Sequence, residues 1–71
     1  MKIYVLLEAY YEGSKTICVS EDIHKIRTSI CENFNANGER PELEIWENGE
    51  CIYNSNGNDV FKKIAGEINT Q

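Results

Sequence analysis

The residues of this chain with chemistry to offer are three cysteines, one histidine and a run of carboxylates. Cys18, Cys31 and Cys51 stand 13 and 20 residues apart, and no two are separated by the two or four positions that a zinc or redox pair needs. With His24 as the one histidine, a four-ligand metal site is not expected, and the thiols read as small hydrophobes in a reducing, cytoplasmic setting. His24 sits beside Lys25, with no serine or cysteine at a spacing that suggests a nucleophile pair. Ser20, four residues earlier, is better used as a helix cap. No phosphate loop, nucleophile elbow or paired-histidine zinc motif occurs. The expectation is a protein that is not an enzyme and takes no cofactor and no metal.

The carboxylates are concentrated. Residues 39–50 hold Glu39, Glu42, Glu44, Glu47 and Glu50 against Arg40 alone, so this segment carries −4 of a net −5. Such a run either solvates a strand end and deters edge pairing or offers an acidic patch to a basic partner. Calcium binding is disfavoured, because no ordered loop of alternating oxygen ligands is present. Twelve acids against seven bases also argue against direct nucleic-acid binding and against docking on anionic membranes. The longest apolar run, residues 3–7, is too short to span a bilayer.

The elements that must position these groups follow from periodicity. Residues 2–11 and 15–19 are β-branched and aromatic and form a hairpin over 2–19. A three-residue turn Tyr11-Glu12-Gly13, with Gly13 left-handed, pairs Val5 with Val19 and Leu7 with Ile17. That register assigns Ile3, Val5, Leu7, Ala9, Ile17 and Val19 to the core, and Tyr4, Leu6, Glu8, Tyr10, Thr16 and Cys18 to the opposite face. Ser20 caps a helix over 21–34, whose stripe is Ile23, Ile26, Ile30, Cys31 and Phe34. Residues 35–38 end that helix and offer a left-handed C-cap.

Asn48-Gly49 is a type I′ turn signal at the centre of a hairpin over 42–55. It pairs Glu47 with Glu50, Trp46 with Cys51, Ile45 with Ile52 and Glu44 with Tyr53. Leu43, Ile45 and Ile52 then face the core. Asn58 caps a last helix over 59–68 with Val60, Phe61, Ile64, Ala65 and Ile68 on its stripe. At 71 residues the chain is one domain. The order hairpin, helix, hairpin, helix predicts an α+β fold, ββαββα, with a four-stranded antiparallel sheet and both helices on one face.

One sheet face is then left bare, and by these registers it presents Tyr4, Leu6, Tyr10, Trp46 and Tyr53. Apolar patches of that kind mark interaction sites, and Trp and Tyr dominate interface energetics. RNA-recognition domains stack bases on such faces, but here Glu8, Glu44, Glu47 and Glu50 surround the aromatics and the cationic funnel is missing.

The opening Lys2-Ile3-Tyr4-Val5-Leu6-Leu7-Glu8, followed by Tyr10-Tyr11-Glu12-Gly13, resembles short proteins of phages, prophages and mobile elements, over the first third of the chain. Small acidic members of that group include anti-CRISPR and anti-restriction inhibitors, which block a nuclease by occupying its nucleic-acid groove or assembly surface. The resemblance implies a protein of the host cytoplasm that inhibits a defence nuclease by steric and electrostatic occlusion. The expected partner-binding residues are Tyr4, Tyr10, Glu42, Glu44, Trp46, Glu47, Glu50 and Tyr53, and the expected partner is a protein with a basic surface. Two alternatives are a homodimeric assembly factor and a binder that sequesters a nucleotide signal.

Overall fold

The computed structural model describes residues 1–34 and 40–70. The elements are β1 (Lys2–Tyr10), β2 (Gly13–Ser20), α1 (Ile23–Asn33), β3 (Pro41–Glu47), β4 (Glu50–Asn56) and α2 (Asn58–Asn69). The four strands form one antiparallel sheet, as the ββαββα reading expects, and their order in it is β2-β1-β3-β4. Ile23, Ile26 and Ile30 of α1 and Val60 and Ile64 of α2 share a single cluster with Tyr4, Leu6, Leu43 and Ile45. Both helices therefore lie on one side of the sheet. No helix among the described residues is long and apolar enough to cross a membrane.

The register of the first hairpin corrects the expected faces. The turn is Tyr11-Glu12, two residues long, and it pairs Tyr10 with Gly13, which lies in β2 at φ 150°. Glu8 then meets Lys15 and Leu7 meets Thr16, not Ile17. A bulge between Leu6 and Leu7 inserts Ile17 as an extra residue and restores the expected Val5–Val19 pair. Ile17 and Cys18 both pack against the core, as the local twist of a bulge allows.

The side chains of β1 divide the other way from the expectation. Tyr4 and Leu6 are buried beneath the helices, while Ile3 and Val19 are 39% and 57% exposed. Both sets on β1 are apolar, so alternation along that strand cannot choose between them. The pairing with β3 chooses: Tyr4 lies opposite Ile45 and Leu6 opposite Leu43, so these four share a face.

The second hairpin behaves similarly. Asn48 (φ 54°) and Gly49 (φ 80°) form the left-handed pair that a type I′ turn requires, and Glu47–Glu50 and Trp46–Cys51 pair as expected. A second bulge then inserts Ile52, so Ile45 meets Tyr53 and Glu44 meets Asn54. Ile52, expected in the core, is half exposed, and Tyr53 packs on the core in its place.

The caps differ as well. Asp22 caps α1 by accepting from the His24 N–H at 2.9 Å, and Ser20 accepts from the Asp22 N–H at 3.0 Å, one step upstream. Gly57 occupies the N-cap of α2 at φ 66°, a conformation that favours glycine, and its N–H donates to Pro41 O at 3.0 Å. Asn58 is consequently the first helical residue rather than the cap. Cys31 and Ala65 are exposed rather than part of a buried stripe, and Phe61 is nearly half exposed. The expected C-cap at 35–38 lies outside the described residues.

Candidate functional site: the open sheet face

Alternation along the strands and the observed pairings define the face that no helix covers. From β2 to β4 it carries Thr16 and Val19, then Ile3, Val5, Leu7 and Ala9, then Glu42, Glu44 and Trp46, then Cys51 and Asn54. Its apolar stripe runs along the central strand β1 and ends on Trp46, which stands opposite Ile3 on one side and Cys51 on the other. Leu7, on this face, is buried.

The carboxylates on this face are held in place. Trp46 Nε1–H donates to Glu44 Oε1 at 3.1 Å, two residues back along the same strand. Asn54 Nδ2–H donates across to Glu42 Oε2 at 3.0 Å. Both acids are half buried, and neither forms an ion pair among the described residues. Lys25 lines a shallow depression with Ile3 and Val19 at one corner, and Arg40 lies beside Ala9 near the other.

The residues expected to bind a partner are thus divided between two sides of the sheet. Glu42, Glu44 and Trp46 lie together on the open face. Tyr4 is a core residue at 2% exposure. Tyr53 packs against the core, and Lys63 Nζ of α2 sits 4.6 Å from its ring centroid, a cation–π contact. Tyr10 projects from the same side as Tyr4, beyond the helices, and donates its hydroxyl to Glu8 Oε1 at 2.7 Å. That hydrogen bond, with smaller contributions from burial and from the Glu8 charge, raises the Tyr10 pKa. Glu47 and Glu50 face each other beside the turn, in line with Ile45 rather than with Trp46.

The sequence reading missed the aliphatic half of the face, Ile3, Val5, Leu7 and Val19, and it missed Glu67. Glu67 is 8% exposed and accepts from Tyr4 Oη at 3.1 Å and Lys2 Nζ at 3.2 Å. Burial opposes its ionisation, but these two hydrogen bonds and the charges of Lys2 and Lys63 outweigh it and lower its pKa from the model-compound value of 4.5. The signal was available: Val60, Ile64 and Glu67 follow the spacing of one helical stripe, so an acid on it needs a partner.

Among the described residues no group of three or more metal-ligating side chains converges. No family model, curated protein or solved structure matches this chain.

Proposed function

We propose that this protein is a non-enzymatic binding module that docks a protein partner on the open face of its sheet. The observation that carries the reading is Trp46 standing at the end of an aliphatic stripe, Ile3, Val5, Leu7 and Val19, that no helix among the described residues covers and on which Ile3 and Val19 are exposed. Pairing through a sheet edge is less favourable, because both edge strands carry a bulge, at Ile17 in β2 and at Ile52 in β4. The face is what remains.

In its narrower form the reading is of an inhibitor of a host defence nuclease, acting in the cytoplasm, with Glu42 and Glu44 meeting the basic residues of the target's nucleic-acid groove. The resemblance of residues 2–13 to phage and prophage proteins and the net charge of −5 support that form.

The test compares variants of the two sides of the sheet. A polypeptide retained by the immobilised protein from an extract of its native cell should be released by Trp46→Ala and by Val19→Asp. It should stay bound to Tyr10→Ala and Glu50→Gln, with all four variants checked for folding by circular dichroism. For the narrower form, the retained polypeptide should be a nuclease whose cleavage the wild-type protein slows. Retention unchanged by Trp46→Ala and Val19→Asp overturns the assignment of the face.

A further inference from the structure

We infer that the partner covers this face with a pair of arginines, one set against Glu44 beside the Trp46 indole and the other against Glu42. The inference rests on the proposed docking face and names what must occupy it.

Three observations lead to it. Glu42 and Glu44 sit within the face, so any partner that covers Val5, Leu7 and Trp46 takes these carboxylates out of water with them. Neither has an ion-pair partner among the described residues, so a neutral surface would bury two uncompensated charges. A second copy of this chain brings the same two acids to its own face, with cations, Lys25 and Arg40, only at the corners of that face. The occupant must therefore bring cations. In addition, each carboxylate is already oriented through one oxygen, Glu44 Oε1 by the indole N–H and Glu42 Oε2 by Asn54, which leaves Glu44 Oε2 and Glu42 Oε1 to receive donors.

Spacing and neighbours select the cation. The two acids stand two residues apart on one strand, about 6.5 Å along it, which matches alternate residues of an extended partner segment. A guanidinium is less strongly hydrated than an ammonium, donates through a planar fork and stacks on aromatic rings. Beside an indole that itself bonds the carboxylate, arginine is the better fit. The intervening residues of such a segment point away from the sheet, and the aliphatic stems of the two arginines lie over the apolar stripe beside Glu42 and Glu44.

A blocked hexapeptide of alternating Arg and Val is the probe, followed by the fluorescence of Trp46, the one tryptophan of the chain, and by backbone amide shifts. Saturable binding is expected, with shifts confined to open-face residues of β1 and β3. Loss of one charged hydrogen-bond acceptor in Glu44→Gln or Glu42→Gln should weaken it about tenfold. Glu50→Gln should leave it within about twofold, since an exposed charge off the face contributes little. The alternating Lys-Val peptide should bind more weakly and a Ser-Val peptide should not saturate. Failure of the Arg-Val peptide to saturate, equal binding by Glu44→Gln and Glu42→Gln, or equal binding of the Lys-Val or Ser-Val peptide overturns the arginine assignment. Release of the cellular partner by Trp46→Ala together with any of those results would sink the arginines and leave the docking face standing. Retention of that partner would sink the face itself.

Discussion

Replacing Glu67 by Gln tests how the last helix is fastened to the sheet. Glu67 joins α2 to β1 across more than sixty residues of sequence through Tyr4 Oη and Lys2 Nζ. Hydrogen bonds to a charged group contribute about 1.5–3 kcal/mol each when one partner is lost. Two facts reduce that figure here: the Gln carbonyl still accepts one bond, and the Lys2 side chain is 41% exposed, so its ammonium can return to water. The expected loss at neutral pH is about 1–2 kcal/mol, which for a domain of this size lowers Tm by about 4–16 °C. The sign with pH follows from the depressed pKa. The carboxylate's contribution is fully present above the unfolded value of 4.5 and is lost as pH falls through the lower folded value. Urea unfolding followed by Trp46 fluorescence should therefore show Glu67→Gln less stable than wild type at pH 7, and by a smaller margin at pH 3. An equal deficit at both pH values would falsify the ionic account and leave only a packing defect. No deficit at pH 7 would mean that the Lys2–Tyr4–Glu67 contact contributes nothing.

Further substitutions probe the faces and the turns. Leu6→Ala, in the core, should cost about 2–5 kcal/mol by thermal denaturation, whereas Val19→Thr, on the open face, should cost less than about 1 kcal/mol; the reverse order would mean that the sheet faces are misassigned. Gly66→Ala should stabilise α2 by about 0.5–1 kcal/mol, because Gly66 is helical and an added Cβ meets nothing within 4 Å. Glu50→Lys turns the like-charge pair with Glu47 into an attractive one and should raise stability by about 0.2–1 kcal/mol in low salt, a gain that added salt should erase.

The fold class was legible in local chemistry. Asn48-Gly49 fixed the second hairpin because few dipeptides accept two left-handed residues in succession. The isoleucine steps of 23, 26 and 30 and the Val60–Ile64 pair marked the two helices. Two hairpins and two amphipathic helices leave few packings other than one layer of each. Trp46 and Glu44 lie on the open face, as the sequence pattern predicts, because β3 alternates cleanly between Leu43 and Ile45 on one side and these residues on the other.

What local chemistry could not decide was the orientation of β1. Its two faces, Ile3-Val5-Leu7-Ala9 and Tyr4-Leu6-Glu8-Tyr10, are both apolar enough to be buried, so the sequence determined that β1 is a strand without saying where in the sheet it lies or which side the helices take. The tertiary structure broke the tie through contacts remote in sequence: β3 presents Leu43 and Ile45 in register with Leu6 and Tyr4, and α2 supplies Glu67 to satisfy the Tyr4 hydroxyl. The two bulges are decisions of the same kind, since an extra Ile17 or Ile52 gains its place only from the core it allows its neighbours to reach. Element type is written in short-range pattern because backbone geometry is local. The choice of buried face belongs to the assembled core, where burial and hydrogen-bond satisfaction are decided together.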